Sequence, residues 1–348
     1  MLKYFTRKIF YGLLVLLGVV IIVFFLFQGF GDPARLVLGQ TGDSATLKNI
    51  RSELYLDQPV GKQFLFYLKD ISPVSFHKKE EIEQKQLKGF FVGGDTKFAI
   101  KVPYLRRSYQ SKKPVLEILM EALPGTFILA FAAMLFATIL GVALGVVAAV
   151  KKNTWMDTSA IFGSVLGISA PSFFMGIIIA YVFGFLLNRY TGLHMTGSLF
   201  DINPFEGNQL QLQNLILPAL TLGIRPLAII TQLTRSSMLD TLSQDYIRTA
   251  YAKGLTKSQV ILKHGLRNAL NPVITAITGW FAELLAGAFF VEYIFGWKGI
   301  GKVTVDALEK LDYPVVMGSV LLTATLFVFV NILADIANAW LDPRIRLK

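Results

Sequence analysis

The chain has 348 residues, 53% of them hydrophobic and only 16% charged, with a formal net charge of +11 and no cysteine. Soluble domains carry about a quarter charged residues. Here the mean hydropathy is +0.54, and the apolar residues fall in blocks of about 20 or more, the length a helix needs to cross roughly 30 Å of hydrocarbon. These features exclude a soluble enzyme, a disulfide framework and a thiolate metal site. His77, His194 and His264 are too scattered for metal-ligand spacing. The positive charge reads as loop lysine and arginine of a membrane protein, with no nucleic-acid partner implied.

In chain order, Lys3, Arg7 and Lys8 precede an apolar run over 9–27. The run is too long for a cleavable signal and lacks a small-x-small site, so it reads as a retained first span at about 9–29. Residues 31–118 form a long extracytoplasmic loop. Leu47, Ile50 and Leu54 recur there at helical spacing, and Pro59 opens a second helix at VGKQFLFYLKD. KKEEIEQKQLK reads as a solvated, helical charged stretch. GFFVGGDTKFAIKV reads as a hairpin around Gly93–Gly94–Asp95.

Five further spans are predicted at about 120–150, 159–187, 214–235, 271–293 and 315–341. Pro124, Pro171, Pro218 and Pro226 fall in or at these helices, where neighbouring helices can satisfy the backbone groups that proline frees. Gly141, Gly145, Ala148 and Ala149 have the spacing for close helix–helix approach. No internal repeat is visible. The expected fold is an all-α integral membrane protein of six transmembrane helices. Its domains are a first transmembrane helix (1–30), the external loop (31–118, with an insertion at about 71–110) and a five-helix core (119–348) containing a loop over 236–271.

Charge sets the orientation. Lys3, Arg7 and Lys8, then Lys151 and Lys152, then Arg235, Arg248, Lys253, Lys257, Lys263 and Arg267, and last Arg344, Arg346 and Lys348 fall on one side of six spans. The opposite loop at 188–213 has Arg189 against Asp201 and Glu206. The positive-inside rule places both termini in the cytoplasm.

The most informative stretch runs from 243 to 273, SQDYIRTAYAKGLTKSQVILKHGLRNALNPV. Ser243 is placed to cap a short helix, Asp245 sits in its first turn, Lys253 in its last, and Gly254 terminates it. Thr256 and Gln259 then form a capping-box pair, leading through Asn271–Pro272 into the fifth span. Helix, glycine, helix between two spans makes a rigid cytoplasmic knob, in which small Ala250 and Ala252 would allow close seating in a partner's groove. The alternative is an amphipathic connector lying on the bilayer.

This loop resembles the EAA loop of ABC importer permeases. Only the second alanine, the glycine and the leucine match the general form of that loop. The peptide-transport version, Arg-Thr-Ala-x-Ala-Lys-Gly-Leu followed by His-x-Leu-Arg-Asn-Ala-x-x-Pro-Val, is nearly reproduced by residues 248–255 and 264–273. Further matches are Gly31–Asp32–Pro33–Ala34, Ala170–Pro171–Ser172–Phe173, Leu217–Pro218–Ala219–Leu220, Val291–Glu292, Gly296–Trp297 with Gly299 and Gly301, Asp312–Tyr313–Pro314–Val315, and Leu341–Asp342–Pro343–Arg344–Ile345–Arg346. The sequence is thus similar to the B-type permeases of dipeptide and oligopeptide importers, which have a MetI-like transmembrane domain, over nearly all but residues 71–110.

The resemblance implies a multi-pass permease of the bacterial inner membrane that performs no covalent chemistry. Its implied partners are a C-type permease, two cytoplasmic ATPase subunits that bind the ATP, an extracytoplasmic binding protein and a peptide cargo. A coupling helix at about 244–253 would use Asp245, Arg248, Thr249, Ala250, Ala252, Lys253, Gly254 and Leu255. The same branch also imports nickel, glutathione or other small solutes. An ion-coupled secondary transporter is a different class, and it would show repeated halves and interrupted helices.

Arg225 and Glu283 fall about halfway along the fourth and fifth spans, where an isolated charge costs about 2.5–3.5 kcal/mol. Either they pair, or both line the pathway and engage a peptide's termini, or Arg225 snorkels to the outer interface. The family resemblance supplies no role for them. Asn331 and Asp335, toward the cytoplasmic end of the sixth span, read as packing or gate residues. Gly296, Gly299 and Gly301 invite a phosphate-loop reading, against which no strand precedes them and their expected location is extracytoplasmic.

Overall fold

The computed structural model describes residues 2–28, 51, 55–203 and 207–341. The expected helix at Leu47, Ile50 and Leu54, the Gly31–Asp32–Pro33–Ala34 motif and the tail from Asp342 to Arg346 lie wholly or mainly outside them. Among the described residues, five helices are long and apolar enough to cross a membrane: Thr6–Gln28, Val115–Val150, Gln213–Leu242, Lys257–Ala286 and Tyr313–Ala337. A sixth crossing results if the pair Trp155–Ser169 and Ser172–Leu186, bent by 107°, counts as one.

That bend corrects the reading of 159–187 as one unbroken span. Proline disfavours helical backbone in the residue before it, and Ala170 is extended, with φ −79° and ψ 128°. Pro171 then leads into the next helix. The chain turns here because Pro171 brings no amide to continue the ladder and Ala170 is held extended.

The chain divides into two compact units, residues 1–12, 122–302 and 325–348, and residues 13–121 and 303–324. In the first unit, the long helix α4 (Val115–Val150) contributes its later turns. It is followed by α5 (Trp155–Ser169) and α6 (Ser172–Ile179) with a π-helical turn over Ala180–Leu186. A four-residue turn of helix, α7 (Asn188–Thr191), precedes a two-stranded hairpin, β4 (Phe200–Asn203) with β5 (Gly207–Leu210), which periodicity did not disclose. Then comes α8 (Gln213–Leu242), which packs on α5, α6 and the fifth spanning helix. Its buried face includes Leu217, Leu222, Ala228 and Ile230.

The expected close approach is present. A Cβ on Gly141 would lie 2.8 Å from the Ile230 side chain, and one on Gly145 would lie 2.7 Å from the Thr231 carbonyl oxygen. Only glycine lets α4 and α8 cross at this distance. At the far end of α8, Arg235 sits inside the helix and not in the loop, and it reaches the buried Asp157. Its Nη2 donates to Oδ2 at 2.8 Å and its Nε to Oδ1 at 2.5 Å, while the Asn153 amide donates to Oδ2 at 3.0 Å.

The second unit holds the later turns of α1 (Leu2–Gln28), the helices α2 (Val60–Ile71) and α3 (Lys79–Lys85), and a three-stranded antiparallel sheet. The strands β1 (Val74–Lys78), β2 (Gly89–Gly93) and β3 (Thr96–Lys101) are ordered β1-β3-β2. The second helix after Pro59 and the hairpin around Gly93 form as expected, and β1 joins them as a third strand. The charged stretch is helical but not wholly solvated. The Lys85 ammonium pairs with the buried Asp70 carboxylate, and the Asp70 carbonyl oxygen accepts from Lys101 Nζ at 2.5 Å and from the Tyr104 amide at 2.9 Å. Asp312 oxygens accept from Ser108 Oγ at 2.5 Å and from the Tyr109 amide at 2.9 Å, which gives the Asp312–Tyr313–Pro314–Val315 motif a structural task.

Two outcomes follow from these buried charges. Arg235→Ala leaves the Asp157 carboxylate with the Asn153 amide but without its counter-charge, a loss of roughly 1.5–3 kcal/mol. In a double-mutant cycle of detergent-solubilised protein, Asp157→Asn combined with Arg235→Ala should cost clearly less than the two singles added. Strict additivity of the unfolding midpoints would show that the pair is not coupled.

Burial pushes the Lys101 ammonium down from 10.5 to about 8. Between those values the unfolded chain binds more protons than the folded one, so stability rises with pH in that window. Tyr67, pushed up by burial from 10.0 to about 12, opposes this only above about pH 10. Unfolding midpoints should therefore climb from pH 8 to pH 10 in the native chain and stay flat in Lys101→Met. A flat native profile would contradict the assignment.

Candidate functional site

The loop between the two long helices folds on itself. α8 ends at Leu242, and Ser243 belongs to that end: it is the C-cap, and its hydroxyl donates to the Asp240 carbonyl. It therefore does not cap the short helix α9 (Asp245–Ala252), whose N-cap is Gln244 without a side-chain bond. α9 closes at Lys253, and Gly254 follows with φ +76°, the left-handed conformation that L side chains rarely adopt. The Gly254 amide donates to the Tyr251 carbonyl at 2.9 Å.

The predicted capping box is present. The Gln259 amide donates to Thr256 Oγ1 at 3.4 Å, and the Thr256 amide donates to Gln259 Oε1 at 3.1 Å. One short turn, α10 (Lys257–Gln259), passes into a π-helical stretch over Val260–Leu266, and that into α11 (Arg267–Gly287).

Ile247, Ala250 and Val260 are buried together, with Leu242 and Leu255 packed against them. Asn268 Nδ2 donates to the Tyr246 hydroxyl at 3.0 Å, which ties α9 to the first turn of α11. The hook is therefore a small folded body, not a slack connector. Ala250 lies inside it, so its small size serves the hook's own packing. Asp245, Arg248, Thr249, Ala252, Lys253 and Gly254 are exposed, as are Tyr246 and Tyr251, which periodicity alone did not single out. Leu255 is half-buried against the inner cluster. Asp245 and Arg248 form only an exposed contact at 3.5 Å.

Among the described residues, no ion pair joins Arg225 to Glu283. Both side chains are exposed, and the Arg225 guanidinium lies over the Trp280 ring, 5.6 Å from its centroid. Trp280 and Glu283 are three residues apart on α11, so Arg225 and Glu283 belong to neighbouring turns of adjacent helices. In α14, named here for Tyr313–Leu341 after the short helices α12 (Phe289–Ile294) and α13 (Ile300–Glu309), Asp335 pairs with Lys8 at 2.7 Å. Asn331 donates to the Phe327 carbonyl of its own helix at 2.9 Å.

The same unit contains a groove of about 810 Å³ lined by α4, α11 and α14. Its only polar lining side chains are Thr138 and Thr278, and none of the four candidate pathway residues lines it.

The glycine-rich segment is filled from within. Glu292, fully buried, accepts from the Gly301 amide at 2.7 Å and the Lys302 amide at 3.2 Å. A Cβ on Gly299 would collide with the Glu292 carboxyl group, and one on Gly301 would lie 2.5 Å from Phe289 Cα. The glycines let the loop wrap the chain's own carboxylate and leave no room for a phosphate. Trp297, also fully buried, donates from Nε1 to the Gly125 carbonyl at 2.9 Å and anchors the same loop. No cluster of three or more His, Asp or Glu side chains among the described residues could hold a metal ion.

Apolar spanning helices with a folded hook between two of them define a multi-pass membrane protein. The binding-protein-dependent transport system inner membrane component family matches residues 141–347, and the N-terminal family of such membrane components matches residues 1–130. The chain belongs to this family and is a multi-pass protein of the inner membrane.

It is 38% identical over 351 residues to the glutathione transport system permease protein GsiC of Pectobacterium atrosepticum, covering 100% of both chains. It is 33% identical to the dipeptide transport system permease protein DppB of Alkalihalophilus pseudofirmus, over 99% of this chain and 100% of that one. To GsiC of Escherichia coli K12 it is 36% identical, over 100% of both. A chain of the MetNI methionine ABC transporter in an inward-facing conformation shares the fold with a TM-score of 0.50 at 16% identity, covering 66% of this chain and 97% of that one.

Thr256→Ala removes the capping box and should cost about 1 kcal/mol of local stability. Amide exchange at Gln259 and Val260 should quicken, and unchanged exchange would show that the box does not hold this turn.

Proposed function

We propose that the chain is a permease subunit of an ATP-driven, binding-protein-dependent importer of di- or oligopeptides, coupled to its ATPase through the hook at 243–273. The observation that carries this is the self-packed hook, continuous at one end with α8 and at the other, through the π-helical stretch, with α11. A push on its exposed face moves two spanning helices together, because Ile247, Ala250 and Val260 leave no slack between them. The external face of α9 (Asp245, Arg248, Thr249, Ala252 and Lys253, with Tyr246 and Tyr251) is the docking surface for an ATPase subunit. Gly254 ends that lever sharply.

Peptide cargo is supported by relatives of matching length named as dipeptide and glutathione permeases, glutathione being itself a short peptide. A zwitterionic peptide needs polar partners when it leaves water. The apolar groove offers two hydroxyls, so Arg225 and Glu283 are the better candidates to meet the cargo. Asp335 and Asn331 are engaged within the helices and serve packing. A second permease, two ATPase subunits that hydrolyse the ATP and an extracytoplasmic binding protein complete the importer, and this chain does no covalent chemistry.

Combining Arg248→Glu with Tyr251→Ala alters only the exposed face of the hook. Peptide uptake by the assembled importer in proteoliposomes should drop about tenfold or more, equivalent to at least about 1.4 kcal/mol of coupling, with membrane abundance unchanged. Uptake at the native rate would overturn the coupling assignment.

A further inference from the structure

The sheet in the second unit is built inside out relative to an ordinary half-buried sheet. Its covered face, under α2 and α3, carries His77, Ala99 and Lys101, all buried. Its open face is apolar. By register, Phe76 stands opposite Phe98 and Phe98 opposite Val92, while Val74 stands opposite Ile100 and Ile100 opposite Phe90. Strand alternation puts all six side chains on one side, and they are 37% to 69% exposed. The same alternation ends that face in Lys78 beside Thr96 at one edge, and in Lys88 beside Val102 at the other. An apolar patch this continuous needs a cover.

We propose that this face is a membrane-surface anchor that lies on the headgroup region of the bilayer and favours anionic lipid. Three observations point to that occupant. The first is continuity with the membrane-embedded surface. Phe24, in the last turns of α1, lies 5.2 Å from Phe64 and 5.7 Å from Tyr67 between ring centroids, and Phe25 lies 6.0 Å from Phe64. Gln28 donates to Gln63 at 3.2 Å. Thus α2 packs against the end of the first span, and β1 begins at Val74, three residues after α2 ends at Ile71.

The second observation is composition. Phenylalanine suits a membrane interface and a protein interface alike, but flanking lysines are what interfacial membrane elements use, whereas lysine is depleted at protein–protein interfaces. The third is strand length: five or six residues per strand cannot span hydrocarbon, which takes about 9–11, but can lie in the headgroup layer. Lys78 and Lys88 then face lipid phosphates while the phenylalanines reach the acyl boundary. This anchor goes beyond the import reading and does not depend on it.

Because the chain has no cysteine, a single introduced one carries a unique spin label. The full chain is reconstituted in phosphatidylethanolamine–phosphatidylglycerol vesicles with labels at Phe76→Cys and Phe90→Cys, and with Glu83→Cys on the exposed flank of α3 as reference. Val74→Cys and Val92→Cys give independent readings should a phenylalanine variant misassemble. Collision with oxygen, relative to a water-soluble nickel reagent, should be several-fold higher on the sheet face than at position 83. It should fall in phosphatidylcholine vesicles or when Lys78→Glu and Lys88→Glu are added. Labels as open to the aqueous reagent as the reference would overturn the proposal. So would labels shielded from both reagents, which would mean a protein surface covers the face.

Discussion

The crossing of α4 and α8 at Gly141 and Gly145 constrains everything the first unit does. In hydrocarbon, water does not drive helices together, so they hold by close packing and by the few polar contacts they can make. Two glycines remove the side chains that would keep the backbones apart, and the Ile230 side chain and Thr231 carbonyl fill the space. α8, held there in its middle, is clasped again near its end by Arg235 and Asp157. The two contacts lie about one turn apart and hold this part of α8 in place, and the hook continues from it.

The two ends of the hook follow from different physics. One end is α8 itself, closed by Ser243. The other is a capping box leading into a widened turn and then α11. Between them a cluster of three buried side chains substitutes for the lipid or protein contacts that a short helix normally needs, since eight residues alone are below the length at which a helix is stable in water. The same economy appears at Glu292, where a buried carboxylate and two backbone amides shape a glycine-rich loop that superficially suggests ligand binding.

Much of this was legible in the residues, for identifiable reasons. Long apolar blocks declare spans because the bilayer leaves no other option for a backbone. Thr256, Gln259 and Gly254 declare helix ends because orphan amides and a left-handed turn accept few side chains. Ser243 misled because it is a good cap for either of two adjacent helices, and its partner Asp240 lies upstream. Pro171 misled because a proline within a span is tolerated or not according to neighbours that the sequence does not display. Asp157 and Arg235, 78 positions apart, meet only in three dimensions, and Arg225 lies over the Trp280 indole, a contact that sequence spacing does not display.

The π-helical stretch at Val260–Leu266 has a bearing on how such a hook can change. A π turn accommodates one residue more than an α turn, so this stretch stores a spare residue inside an otherwise regular path. The widened turn takes up that residue locally, so α11 leaves the hook with the facing it would have from an uninterrupted helix. Deleting one residue here would return the stretch to α geometry and leave that facing unchanged, whereas the same deletion within α11 would turn everything beyond it by about 100°. Slack in length is thus confined to one place in the loop.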